Sequence, residues 1–138
     1  MSKIIIVEDN PDHALLIVRG LRENGLDVAH YPDGAALLDS FKKESASAEA
    51  PDIILLDLKL PGIDGLEILR RIRAHPKYRL IPVVMLTTSK YRKEINQAYE
   101  LGASGFVNKS EDFPEFVAKL ARVKDYWLRT VERPQLGD

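Results

Sequence analysis

The sequence predicts an α/β domain built on a parallel sheet, and three observations carry that expectation. Strand-like and helix-like stretches alternate along the whole chain, five of each. Four of the five strands are apolar enough to be covered on both faces, as parallel strands are. Helices of ordinary length separate the strands, which suits right-handed crossovers. At 138 residues the chain fits one domain that can bury about two-thirds of its unfolded surface.

The first strand is the β-branched run Ile4-Ile5-Ile6-Val7, ended by the acidic turn Glu8-Asp9-Asn10-Pro11-Asp12. A helix follows from Asp12, with Leu15, Leu16, Val18 and Leu21 as its apolar positions and Asn24-Gly25 as its stop. Leu26 to Tyr31 is a short strand and Pro32-Asp33-Gly34 a turn. The second helix, Ala35 to Lys43, places Leu37, Leu38 and Phe41 on one side. The small and polar residues 44–50 read as a frayed helix end and a loop.

Ile53 to Leu56 form the third strand, which ends at Asp57 because Pro61-Gly62 blocks a smooth continuation. Asp64 caps a third helix with Leu66, Ile68, Leu69 and Ile72 as its stripe, and His75-Pro76 ends it. Pro82 to Thr87 is the fourth strand, with the proline at its entrance, where a missing donor is tolerated. Thr88-Ser89 begins the next turn. Tyr91 to Leu101 is a polar helix closed by Gly102, and Gly105 to Asn108 is the fifth strand, followed at once by Lys109. The last helix starts at Glu111 or Asp112 and carries Phe113, Phe116, Val117, Leu120, Val123 and Trp127 at spacings of three and four. Residues 1–129 form the expected domain and 130–138 a tail.

Composition excludes several classes of function. Twenty basic and 21 acidic residues give a net charge of −1, which argues against generic nucleic-acid binding. The absence of cysteine removes disulfides, thiolate metal sites and thiol catalysis. No apolar stretch reaches bilayer length and no signal-peptide layout opens the chain, so a cytoplasmic protein is expected.

In an open parallel sheet, ligands bind outside the carboxyl ends of the strands. Glu8-Asp9, Asp57, Thr87 and Lys109 all fall there. If the first and third strands are neighbours, Glu8, Asp9 and Asp57 bring three carboxylates to one edge, where they repel one another by roughly 4 kcal/mol per pair at 4 Å and an effective dielectric near 20. A divalent cation offsets that repulsion, and an all-oxygen donor set favours Mg²⁺ over Zn²⁺. With a lysine and a hydroxyl beside it, the set matches what phosphoryl transfer requires, and Asp57 is the candidate nucleophile.

These residues resemble the receiver domains of two-component response regulators over nearly the whole chain. Glu8-Asp9 look like the family's acidic pair, Asp57 like its phosphoacceptor, Pro61-Gly62-Ile63-Asp64-Gly65 like the loop that follows, Thr87 like its switch hydroxyl and Lys109 like its lysine. The resemblance implies a flavodoxin-like (βα)5 fold, with strand order 2-1-3-4-5 and helices on both faces. It implies a phosphoryl group taken from a sensor histidine kinase onto Asp57. It also implies Mg²⁺ held by Asp9, Asp57 and the backbone carbonyl of Lys59, with Glu8 acting mostly through water, and no turnover of any other substrate. Switching in this family pairs Thr87 with an aromatic side chain on the fifth strand, here Phe106.

Two departures stand out. Ser110 follows Lys109 where the family commonly has a proline, often cis, and a cis bond without proline costs about 2.5–4 kcal/mol. Thr88 is larger than the residue usual after the switch hydroxyl. No output domain is recognisable after the last helix, so a stand-alone receiver signalling through protein contacts is expected. Lys109-Ser110 with the late Tyr126-Trp127-Leu128 resembles the small regulators paired with bacterial phytochromes, which implies homodimers.

Three rival readings remain. An aspartate-nucleophile phosphatase wants an acid two residues after the nucleophile, where this chain has Lys59. A flavin mononucleotide carrier wants a phosphate loop where this chain has five residues rich in acid. A receiver-shaped module that is never phosphorylated shares every motif. Among the histidines, His13 lies near the acidic turn, within reach of the site, but reads first as an exposed helix-start residue, and His30 and His75 have no ligand partners in view.

Overall fold

Ile4, Ile5, Ile6 and Val7 are all buried because β1 (Ser2–Val7) lies inside the sheet, with β2 (Leu26–Tyr31) on one side and β3 (Ile53–Asp57) on the other. The structure is a computed structural model that describes residues 2–43, 50–88 and 90–135. Beyond β3 come β4 (Val83–Thr87) and β5 (Gly105–Asn108), all pairings parallel, in the order β2-β1-β3-β4-β5. The expected order is the observed one.

Side chains alternate between two cores, as strand geometry demands. Ile5, Val7, Ile54, Leu56, Val83 and Met85 face one side, beneath α2 (Gly34–Lys43), α3 (Gly65–Ala74) and α4 (Arg92–Glu100). Ile4, Ile6, Ile53, Leu55, Val84 and Leu86 face the other, beneath α1 (Pro11–Leu21) and α5 (Phe113–Asp125). Every residue of β3 and β4 is buried. The strand-to-helix junctions therefore collect at one end of a rigid platform.

Helix starts follow the expected chemistry. Asn10 caps α1, its side chain accepting from the N–H groups of Asp12 and His13, with Pro11 in the first turn. Asp64 caps α3 through the N–H of Glu67, and Asp112 caps α5 through the N–H of Glu115.

Two expectations need correction. Leu15 and Leu16 are 48% and 46% exposed, and the buried stripe of α1 is Ala14, Ile17 and Leu21. Starting the helix at Pro11 phases 14, 17 and 21 onto the core, while 15 and 16 turn outward. The last helix is not uniform: α5 ends at Asp125, and Tyr126–Thr130 continue as a π-helical turn. Trp127 and Leu128 still pack against the core under α1 and α5. The geometry of the Lys109-Ser110 bond, left open by the sequence, is trans, and no cis peptide occurs among the described residues.

Beyond the π turn the chain reaches the entrance of β3. Arg133 donates to the carbonyl of Trp127 at 2.9 Å and pairs with Asp52 at 3.4 Å. The expected loop at 44–50 lies outside the described residues except for Ala50, as do Ser89 and the last three residues of the expected tail. No helix among the described residues is long and apolar enough to cross a membrane.

Candidate functional site

The registers set the site. Val7 pairs with Leu56, Asp57 with Leu86 and Thr87 with Asn108, so Glu8, Asp57, Thr87 and Lys109 emerge at one end of adjacent strands. Gly65 lets α3 start against the end of β3, since a β-carbon there would stand 2.4 Å from the carbonyl oxygen of Asp57. Gly62 turns the intervening loop with a φ of 73°.

Asp57 is 4% exposed, and both of its carboxylate oxygens are engaged. Oδ1 accepts the backbone N–H of Lys59 at 3.0 Å, and Oδ2 accepts the Nζ of Lys109 at 2.7 Å. Lys109 also donates to Oε2 of Glu8 at 2.9 Å. Glu8 is 1% exposed, whereas Asp9 is exposed; one oxygen from each of Glu8, Asp9 and Asp57 lies within 4.8 Å of the others.

Three acids around one lysine leave negative charge in excess. Burial, then the proximity of Asp57, pushes the Glu8 carboxyl up from 4.5 to about 7, against the pull of Lys109. Burial alone would lower the Lys109 ammonium, but its bonds to Asp57 and Glu8 outweigh that and hold it above its ordinary value. A group of oxygen donors with surplus negative charge fits a hard divalent cation, and no nitrogen or sulfur ligand joins the group among the described residues.

The remaining candidates are placed as follows. Thr87 is buried at the end of β4, and its carbonyl accepts the N–H of Lys109 at 2.7 Å. Thr88 is exposed. The Lys59 side chain points away from the carboxylates to Glu94 on α4, at 3.1 Å, so only the Lys59 backbone belongs to the site. Phe106 is half-buried against the core beneath α3 and α4 and also borders a cavity of about 600 Å³ between α4, β5 and α5, with Tyr99, Tyr126 and Trp127. Two histidines border the site. His13 Nδ1 stands 3.6 Å from Oε1 of Glu8, and a ring nitrogen of His30 lies 2.7 Å from the Glu8 carbonyl oxygen. The place of His13 beside the acidic turn signals its contact, whereas nothing in local spacing signals that of His30, which depends on how β2 flanks β1.

Residues 4–121 match the response regulator receiver domain family. The chain is a receiver domain. It is 36% identical over 128 residues to the probable methanogenesis regulatory protein FilR2 of Methanothrix harundinacea, covering 91% of this chain and 83% of FilR2. It is 32% identical over 135 residues to the response regulator Rcp1 of a Synechocystis strain, covering 95% of this chain and 92% of Rcp1. The Mn²⁺-bound structure of Rcp1 matches this receiver with a TM-score of 0.87 at 29% identity, over 98% of this chain and all of that one. The phosphorylated cyanobacterial phytochrome response regulator RcpA matches with a TM-score of 0.89 at 33% identity, over 97% and 99%. Receivers bind a divalent metal, and the cluster of Glu8, Asp9 and Asp57 fits one.

Proposed function

We propose that this receiver accepts a phosphoryl group on Asp57 from a sensor histidine kinase and signals through protein contacts. The single observation that carries the reading is the convergence of Glu8, Asp9 and Lys109 on a carboxylate buried at a strand end. An Asp57 oxygen attacks phosphorus, the N–P bond of the phosphohistidine breaks, and an O–P bond to Asp57 forms. The departing imidazole nitrogen keeps the electron pair. The Lys59 N–H holds the Asp57 carboxylate in one orientation, which lowers the entropy cost of reaching the attacking geometry. The Lys109 ammonium offsets negative charge on the transferred group.

Glu8, Asp9, Asp57 and the Lys59 carbonyl would hold Mg²⁺, which supplies positive charge for the phosphoryl oxygens. Thr87 then donates its hydroxyl to the new phosphoryl group, and Phe106 moves inward. Phe106 has no hydroxyl to satisfy, so packing alone governs that motion. Residues 1–129 act as the receiver unit, without turnover of another substrate, in the cytoplasm and without nucleic-acid binding.

RcpA is a phytochrome response regulator, and its likeness to this chain supports a phytochrome-type kinase as the partner. The exposed Tyr99 and Tyr126 beside Trp127 support a homodimer through the face of α4, β5 and α5. The test is incubation with a small acyl phosphate and Mg²⁺. The expected outcome is base-labile label on the wild type, lost with EDTA and absent in Asp57→Asn. Equal label on Asp57→Asn would end the assignment.

A further inference from the structure

Lys109 must stand over Asp57, yet the residue after it, Ser110, leaves φ unrestrained where a proline would fix it. The geometry shows what anchors the loop instead. Ser110 Oγ donates to the carbonyl of Asp112 at 2.6 Å, and Asp112 caps α5. The backbone beyond Lys109 is therefore referenced to the start of α5. That start is seated on α1, because the ring of Phe113, the first residue of α5, stacks on the ring of His13 at 4.5 Å and 28°. Phe113 also meets Phe116, a fully buried core ring, edge-on at 5.6 Å.

His13 closes the path from the other side. Its Nδ1 lies 3.6 Å from Oε1 of Glu8, the carboxylate whose Oε2 accepts from Lys109 at 2.9 Å. A circuit thus runs from His13 through Phe113, the capped loop and Lys109 to Glu8, and back to His13. The 3.6 Å gap exceeds a hydrogen bond, so the stacked rings are a short-range link between α1 and the lysine loop.

We propose that the His13–Phe113 stack fixes the Lys109 ammonium over Asp57, making both rings positioning residues for phosphorylation. The proposal rests on Asp57 being the phosphoacceptor. A charge displaced by 1 Å from its working place costs up to about 10²-fold in rate, and partial loosening of a loop costs less, about tenfold.

The test uses the full chain with Mg²⁺ and a small acyl phosphate, with initial rates measured across donor concentration. His13→Ala and Phe113→Ala are each expected to lower the maximal rate about tenfold, with a change under threefold in the half-saturating donor concentration. His13→Phe keeps the stack without the nitrogen and is expected to recover the wild-type rate within about twofold. His13 is 42% exposed, so its replacement leaves the core intact.

A second readout needs no donor. The Lys109 ammonium resonance in ¹⁵N-labelled protein, identified by its loss in Lys109→Arg, should broaden in His13→Ala and stay sharp in His13→Phe. Wild-type rates and a sharp resonance in both alanine variants would overturn the proposal, as would His13→Phe behaving like His13→Ala. If the wild type takes no label, the reading of Asp57 fails, and the ammonium resonance alone still decides whether the stack positions Lys109.

Discussion

At the scale of single residues, the pairing of Lys109 with two carboxylates dominates. Removing the ammonium leaves Glu8 and Asp57, 1% and 4% exposed, without their counter-charge. Breaking a buried pair in this way destabilises strongly, and relief by protonating Glu8 moderates the loss. Lys109→Met is therefore expected to lose about 2–4 kcal/mol of stability at pH 8 in EDTA, measured by urea unfolding. The loss should shrink toward pH 6, where Glu8 carries a proton. The sign follows from the raised carboxyl: its stabilising contribution in the metal-free protein is complete below 4.5 and is lost as pH rises through about 7. An equal loss at both pH values would show that Glu8 is not the group being relieved. The polar ends of the strands were readable as a set of chemically compatible groups, and the fold brings Glu8, Asp9, Asp57 and Lys109 together. The stack of His13 on Phe113 was not readable, because an aromatic contact with a residue 100 positions away leaves no trace in local spacing.

At the scale of elements, local pattern served the strands better than the helix faces. β2 and β5 have their expected bounds, since turn residues bracket them and side-chain alternation fixes their faces. α1 carries apolar residues around much of its circumference, so its phase was settled only by packing on β1 and α5. Arg73 is a further long-range feature with no sequence signature. Its guanidinium donates to the carbonyls of Gly102 at 2.8 Å and Ile81 at 2.7 Å, tying the end of α3 to the loops that flank β4 and β5. Arg73→Ala should cost about 2 kcal/mol by chemical denaturation, because at least two carbonyls lose a charged donor. The π turn has a comparable clasp. Glu23 at the end of α1 pairs with Lys124 at 2.6 Å and also with Arg129. Its carboxyl is held below the usual range, first by the Lys124 hydrogen bond. A depressed carboxyl contributes stability above its unfolded pKa and loses it as pH falls through the folded value. The difference in melting temperature between wild type and Glu23→Gln is therefore expected to be widest near pH 7 and to close as pH falls below the ordinary carboxylate range. A gap independent of pH would remove the ion pair as its cause.

At the scale of the whole molecule, the strand order was implied by likeness rather than by periodicity, because alternation specifies parallel strands without saying which are neighbours. That order matters thermodynamically, since only β1 beside β3 puts Glu8 and Asp9 next to Asp57. Folding therefore assembles three like charges that the unfolded chain keeps apart, and the native state carries their repulsion wherever Lys109 does not cancel it. A ligand that binds only the folded arrangement stabilises it by RT ln(1 + [L]/Kd), about 2.7 kcal/mol at one hundred times Kd. At roughly 3 °C per kcal/mol for a domain of this size, saturating Mg²⁺ should raise the melting temperature by about 8 °C. Asp9→Ala removes one donor from the exposed rim while leaving the Lys109 pairs intact, so it should abolish most of the rise without lowering the metal-free melting temperature. Scanning calorimetry with and without EDTA reads both quantities at once. An undiminished Mg²⁺ shift in Asp9→Ala would place the ion somewhere other than the three-carboxylate cluster.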